Sequence, residues 1–163
     1  NKSSFLKKCT GCGDCIHACP YNTIFPVFDS SLDKNVPYLD PNMNACMMCF
    51  DYPCIEACEE NALIPLKKKE KLKLGQAKPI LNHCINTKTE DNTCNACRTS
   101  CPVENVISYN KKFQPKISKD CTGCGICVQA CPTFPRAIKK KKKSLAFILR
   151  FYSFANYIER DFS

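Results

Sequence analysis

The chain has no tryptophan, only five glycines among 163 residues, and no apolar run long enough to cross a bilayer. So few glycines exclude a collagen-like chain, and the lack of an apolar run of about 18 residues excludes a membrane-spanning protein. The sequence also has no glycine-rich nucleotide-binding loop and no nucleophile motif, which predicts that the chain is not an enzyme and has no catalytic site of its own. Large apolar residues are too few to hold so small a chain together by burial alone.

What the sequence does contain is sixteen cysteines, close to a tenth of its residues. They form four motifs of four cysteines, with none left over. Motifs one and four share the spacing C-x2-C-x2-C-x3-C-P, motif two is C-x2-C-x4-C-x3-C, and motif three is C-x9-C-x2-C-x3-C-P. The members of the four motifs are, in order, Cys9, Cys12, Cys15 and Cys19; Cys46, Cys49, Cys54 and Cys58; Cys84, Cys94, Cys97 and Cys101; and Cys121, Cys124, Cys127 and Cys131.

Three chemistries use many cysteines: disulfides, structural zinc and iron–sulfur clusters. A disulfide needs two cysteines whose side chains converge, whereas three thiols on one tight loop point at one centre. Zinc is usually held by two separate C-x2-C pairs. Three thiolates within seven residues, with a fourth one helical turn later, suit the four corners of a [4Fe–4S] cluster. The sequence therefore predicts four [4Fe–4S] clusters. A zinc-stabilised binding module and a disulfide-rich secreted scaffold are the alternatives, and a count of bound iron and sulfide separates them.

The residues around the cysteines predict an α+β fold made of short helices and short strands. The x3 gap before each fourth cysteine fits one helical turn, which proline ends in motifs one, three and four. Glycines between the ligands let backbone amides approach the cluster sulfurs. Apolar residues follow each motif and precede the next, which indicates short paired strands beside the clusters.

The whole series resembles the MauM/NapG family of ferredoxin-type electron-transfer subunits, and motifs one and four resemble bacterial two-cluster ferredoxins. The segment CMMCFDYPCIEAC (46–58) and the long gap between Cys84 and Cys94 carry the likeness, which covers roughly residues 5–138. The resemblance implies a duplicated two-cluster ferredoxin-like fold, in which the fourth cysteine of one motif ligates the cluster of another. Cys58 is followed by Glu59, where the family usually has proline.

The resemblance also implies a function and a location. Family members are thought to relay single electrons from a quinol-oxidising membrane partner to a periplasmic oxidoreductase such as nitrate reductase, at the periplasmic side of the inner membrane. The family carries a twin-arginine export signal, which these residues do not show, so a cytoplasmic location remains an alternative. The alternative function is then a cytoplasmic polyferredoxin subunit of a hydrogenase or molybdenum reductase.

Two pairings of the motifs are open, nested or sequential. By analogy with four-cluster subunits of molybdenum enzymes we favour the nested order, because the two regular motifs then share one unit. Residues 1–38 with 108–138 form one unit and residues 39–107 the other. Under this order one cluster takes Cys9, Cys12, Cys15 and Cys131, and another takes Cys121, Cys124, Cys127 and Cys19. Sequential pairing, one with two and three with four, is the alternative.

The formal net charge of +9 counts every cysteine as neutral. Four clusters with ligated thiolates add about −8, since metal-bound thiols are deprotonated, so nucleic-acid binding loses its support. Residues 139–163 form a basic run followed by a stripe of aromatic residues at helical spacing, which predicts an amphipathic helix. We expect this helix either to pack on the core or to dock to a redox partner or a membrane surface. The candidate docking residues are Lys139, Lys140, Lys141, Lys142, Lys143, Phe147, Phe151 and Phe154.

Overall fold

The computed structural model describes residues 2–67, 70, 72–89 and 92–141. The described helices are α1 (Lys2–Lys8), α2 (Asp14–His17), α3 (Pro53–Glu56), α4 (Ile85–Lys88), α5 (Ala96–Thr99) and α6 (Ile126–Gln129), with a 3-10 turn at Leu81–His83. The described strands are β1 (Phe25–Asp29), β2 (Lys34–Tyr38), β3 (Gln76–Pro79), β4 (Ile107–Tyr109), β5 (Pro115–Ile117) and β6 (Ile138–Lys141). The fold is α+β, as predicted, and none of the described helices is long and apolar enough to cross a membrane.

The first half of the chain builds one unit around motifs one and two. Helix α1 buries Phe5 against Cys9, Cys15 and the segment that follows motif two. Strands β1 and β2 form an antiparallel hairpin between the two motifs, with Val27 opposite Val36. The buried Asp29 carboxylate accepts hydrogen bonds from the backbone N–H and the hydroxyl of Ser31, which fixes the turn of this hairpin. The hairpin brings motif two beside motif one, so that α2 packs against α3.

The second half builds a similar unit around motifs three and four. Strands β4 and β5 form the hairpin between these motifs, with Ile107 opposite Ile117. Strand β3, which precedes motif three, pairs with β6, which follows motif four, and α5 packs against α6. Val128 and Ile138 are among the most deeply buried side chains and pack in one core with the cysteines of both motifs. The cysteine side chains are thus part of the core rather than attached to its surface.

This arrangement corrects two expectations from the sequence. The structure pairs the motifs sequentially, one with two and three with four, so the nested units 1–38 with 108–138 and 39–107 are wrong. A short hairpin connection brings successive motifs together, and closing such a short loop costs less entropy than bringing the ends of the chain together. Lys139, Lys140 and Lys141 do not begin a separate tail, because they form β6. The predicted amphipathic helix, with Lys142, Lys143, Phe147, Phe151 and Phe154, lies outside the described residues.

Candidate iron–sulfur centres

Four cavities in the described part of the chain are lined by cysteines: three by four each, and the fourth by Cys15 in addition to a set of four. We name the cysteine sets by the motif that supplies three of the four side chains. Quartet A is Cys9, Cys12, Cys15 and Cys58. Quartet B is Cys46, Cys49, Cys54 and Cys19. Quartet C is Cys84, Cys94, Cys97 and Cys131. Quartet D is Cys121, Cys124, Cys127 and Cys101.

Each quartet combines three cysteines of one motif with the fourth cysteine of its partner motif. The helical turns predicted for the x3 gaps are present as α2, α3, α5 and α6, and each carries the chain from its motif's third cysteine to the fourth. In motif one, for example, α2 contains Cys15 of quartet A and is followed by Cys19 of quartet B. The exchange of fourth cysteines is the ligation pattern of two-cluster ferredoxins. The structure therefore brings together all sixteen predicted ligands, but not in the nested sets.

Burial and mutual repulsion make these thiols costly to ionise without a cation. Burial, with the charges of neighbouring cysteines, raises the pKa of Cys15 to about 12 and that of Cys127 to about 12. The same causes raise the pKa of Cys54 to about 11. Thiolates crowded into buried cavities are stable only when a positively charged centre lies among them. No three His, Cys, Asp or Glu side chains in the described ranges converge on one metal ion. The donor set of four cysteine sulfurs around each cavity fits a [4Fe–4S] cluster, in which each iron takes one thiolate.

Backbone amides point at several of the sulfur atoms. The N–H group of Leu63 donates to Sγ of Cys58 over 3.4 Å, that of Ala77 to Cys121 over 3.4 Å, and that of Ala137 to Cys131 over 3.3 Å. Such donors stabilise negative charge on sulfur, and the potential of an iron–sulfur centre depends on them. Three different quartets receive these bonds: A through Cys58, D through Cys121 and C through Cys131.

Two threonine hydroxyls, which the sequence analysis missed, also contact ligand sulfurs. The hydroxyl of Thr23 lies 3.3 Å from Sγ of Cys19, and that of Thr133 lies 3.2 Å from Sγ of Cys131. Burial acts to raise the pKa of both thiols, but these hydroxyls and nearby backbone N–H groups outweigh it, so the pKa of each is lowered. The signal for both was a threonine within four residues of the final cysteine of a regular motif. A third hydroxyl, on Tyr109, lies 3.5 Å from Sγ of Cys97.

A buried asparagine positions the second cysteine of motif three, which a long gap separates from the first. Asn86 is 3% exposed, and its amide group donates to the carbonyl oxygens of Cys94 and Phe113 over 2.9 Å each. Its side-chain oxygen accepts from the backbone N–H of Cys94, also over 2.9 Å. Two of these bonds hold Cys94 in place although nine residues separate it from Cys84, and the third ties the same asparagine to Phe113. The two histidines, His17 and His83, are not needed as ligands, because every quartet is complete without them.

Both halves of the chain match family models described as a 4Fe-4S dicluster domain, over residues 8–62 and 92–138. The first match covers motifs one and two, and the second covers motif four together with motif three from Cys94 onward. These matches and the geometry of the quartets define an iron–sulfur protein with two dicluster domains. No solved structure matches the chain.

Curated relatives give the family. The chain is 30% identical over 161 residues to the ferredoxin-type protein NapG of Escherichia coli K12, which covers 90% of the chain and 69% of NapG. It is 30% identical over 159 residues to the methylamine utilization ferredoxin-type protein MauM of Methylorubrum extorquens, covering 88% and 70%. It is also 30% identical over 127 residues to the polyferredoxin-like subunit of the aliphatic sulfonate oxidoreductase of Pyrococcus furiosus, covering 76% and 66%. The chain belongs to the family of ferredoxin-type electron-transfer proteins that includes NapG and MauM.

Proposed function

We propose that each of the four quartets binds one [4Fe–4S] cluster and that the protein relays single electrons between two redox partners. The observation that carries this proposal is the lining of the four cavities, each by three cysteines of one motif and the fourth of its partner. Each cluster supplies a centre that takes up and returns one electron with little rearrangement. An electron leaves a reduced donor protein and reaches an oxidised acceptor protein, and the chain is unchanged at the end.

The residues of the chain hold the clusters, exclude water from them and adjust their potentials. The sixteen cysteine thiolates hold the clusters, and the buried core around quartets C and D, which includes Val128 and Ile138, excludes water from them. Backbone N–H groups and the hydroxyls of Thr23 and Thr133 set the potential through hydrogen bonds to sulfur. No acid, base or nucleophile is needed, so the chain acts as a subunit without a catalytic site of its own.

The partners that we propose are those that the resemblance to the NapG and MauM family implies. We place the chain between a membrane quinol dehydrogenase and a periplasmic oxidoreductase such as nitrate reductase, at the periplasmic face of the inner membrane, as for a NapG-type carrier. The Pyrococcus relative, a subunit of an oxidoreductase, supports a second candidate, a cytoplasmic polyferredoxin subunit. The N-terminus of the native precursor separates the two, because only the exported carrier needs a twin-arginine signal.

The basic run and the aromatic stripe are proposed to dock a partner or a membrane surface. Because Lys139–Lys141 pair with β3 in the fold, the informative deletion removes residues 142–163 and leaves β6 intact. Loss of membrane or partner association in this deletion, with unchanged iron content, supports the docking role. Unchanged association contradicts it.

Iron and sulfide analysis of protein prepared without oxygen tests the cluster proposal. Four clusters require about sixteen iron atoms and sixteen sulfides per chain. Electron paramagnetic resonance (EPR) of the reduced protein then gives the signals of interacting [4Fe–4S] centres. Zinc without iron, or about eight iron atoms in fully folded protein, contradicts the proposal. Removing the iron with a chelator is expected to unfold the chain, since the cysteines form much of its core.

A further inference from the structure

We propose that the four quartets are ordered A, B, D, C along the molecule, with the two units joined where Cys46 contacts Cys124. Quartets A and C are then the two end centres, at which electrons are exchanged with partners, and B and D are internal. This inference rests on the proposed function, because it takes each quartet to hold a cluster.

Within each unit the order follows from the helical turns. Helix α2 links Cys15 of quartet A to Cys19 of quartet B, and Cys15 also lines the cavity of quartet B. Helix α5 links Cys97 of quartet C to Cys101 of quartet D, and α6 links Cys127 of quartet D to Cys131 of quartet C. A is therefore adjacent to B, and D is adjacent to C.

The contact between the units joins quartet B to quartet D. The backbone N–H of Cys46, a member of B, donates to the carbonyl oxygen of Cys124, a member of D, over 2.8 Å. Beside this bond, the hydroxyl of Thr122 donates to Sδ of Met48 over 3.2 Å. Both bonds connect the loop that carries quartet B with the loop that carries quartet D. The two centres thus share a direct backbone bridge between their ligands.

A glycine allows the two loops to come this close. Gly125 has φ +92°, and a Cβ at this position would overlap the carbonyl oxygen of Pro41 and lie 2.7 Å from Pro41 Cβ. Gly13 occupies the same place in motif one, with φ +91°, but its nearest neighbour would be His17, 3.9 Å away. Both glycines precede a helical turn, α6 and α2 respectively. Of these two positions, only 125 must be a glycine because of a contact between the two units.

The exposure of the cysteines agrees with an end position for quartet A. All sixteen cysteines lie in the described residues, and Cys12 of quartet A is the exposed one, whereas the other fifteen are buried or half-buried. A redox partner can approach an exposed ligand more closely than a buried one.

EPR of the fully reduced chain tests the order through magnetic interaction between neighbouring centres. Four variants each remove one centre: Cys12→Ser (A), Cys49→Ser (B), Cys94→Ser (C) and Cys121→Ser (D). Loss of B or D should leave one of the three remaining signals unbroadened, because A or C loses its single neighbour. Loss of A or C should leave all three signals broadened. The reverse pattern overturns the order, while an iron content far below sixteen in the unsubstituted chain overturns the proposed function instead.

A pair of alanine substitutions tests the junction. Gly125→Ala and Gly13→Ala impose the same backbone strain, but only Gly125→Ala pushes the two units apart. We expect Gly125→Ala to reduce the EPR line broadening that arises from the magnetic interaction between the centres in quartets B and D. Gly13→Ala should leave this broadening unchanged. Equal effects of the two substitutions overturn the junction. If Gly125→Ala does not bind iron fully, Thr122→Val, which only removes the bond to Met48, replaces it in the comparison and should weaken the same interaction.

Discussion

At the scale of single residues, the hydroxyl groups near the ligands distinguish one quartet from another. Thr23 contacts Cys19 of quartet B, and Thr133 contacts Cys131 of quartet C. A hydroxyl that donates to a thiolate stabilises negative charge, and a reduced cluster carries one more negative charge than an oxidised one. These two hydroxyls therefore favour the reduced state of the centres they contact.

Replacing Thr133 with valine is expected to lower the reduction potential of the centre in quartet C. The lost bond favours the reduced state by about 1 kcal/mol, which corresponds to about 40 mV for one electron. Thr23→Val should lower the potential of the centre in quartet B in the same way. Redox titration followed by EPR measures both shifts.

Thr99→Val is the matched control for these two substitutions. The Thr99 hydroxyl donates to the backbone carbonyl groups of Asn95, just before α5, and of Ala96 in α5, and none of its hydrogen bonds goes to sulfur. Its removal should leave all four potentials unchanged. A shift as large in Thr99→Val as in Thr133→Val would show that the valine acts through the fold and not through the bond to sulfur.

At the scale of elements, Asn86 near the start of motif three fixes the position of Cys94 relative to Cys84. In the other motifs the short spacing between the first two cysteines fixes their relative position. Asn86→Ala removes the three hydrogen bonds of a buried amide to the backbone groups of Cys94 and the carbonyl group of Phe113, and leaves a cavity in its place. We expect a loss of about 2–4 kcal/mol of stability in the unit. Iron content should fall toward twelve per chain if the centre in quartet C no longer forms. Denaturant unfolding and iron analysis measure the two effects.

Asn95→Ala provides the comparison, because Asn95 is exposed and its side chain does not cap α5. This substitution should change the stability by less than about 0.5 kcal/mol and leave the iron content unchanged. If both alanine variants lose the same amount of iron, the buried amide of Asn86 is not what holds Cys94 in place.

The elements also show how far the sequence could predict the structure. The helical turns before each fourth cysteine were predicted correctly, because they depend on local spacing; the turn of motif two forms although no proline follows Cys58. The pairing of the motifs was not, because similar spacing suggested that motifs one and four belong together. Which motifs meet depends instead on the short β1–β2 and β4–β5 hairpins, which bring successive motifs together and are not encoded by the cysteine spacing. Asn86 was missed for a related reason: its partners, Cys94 and Phe113, are distant in the sequence.

At the scale of the whole molecule, the two units carry opposite formal charges. Residues 1–67 contain five lysines and arginines against eight aspartates and glutamates, a formal charge of −3. Residues 72–141 contain twelve basic residues against four acidic ones, a formal charge of +8. The four proposed clusters would add about −4 to each unit, which leaves the difference in charge unchanged. The two ends of the molecule therefore suit partners of opposite surface charge.

Quartet A lies at the acidic end, and Asp14, Glu59 and Glu60 line its cavity beside the exposed Cys12. If electrons are exchanged here, the reduced protein should transfer electrons faster to a cytochrome c with a basic surface than to a plastocyanin with an acidic surface. The double substitution Glu59→Gln and Glu60→Gln should slow transfer to the cytochrome several-fold at low salt, because steering by charge raises association rates. The difference should disappear near 1 M salt, where the screening length is about 3 Å.

The comparison that locates the exchange site changes the same amount of charge elsewhere in the acidic unit. Asp33→Asn with Glu56→Gln also brings residues 1–67 from −3 to −1, but neither residue lines the cavity of quartet A. Asparagine tolerates the left-handed backbone of position 33, where φ is +49°, so the hairpin turn should be retained. Stopped-flow rates over a range of salt concentrations measure both variants. A larger effect of the Glu59 and Glu60 pair places the exchange at quartet A, because charge acts most strongly on a docked partner when it lies at the contact. Equal effects would mean that the field of the whole unit steers the cytochrome and that it docks elsewhere.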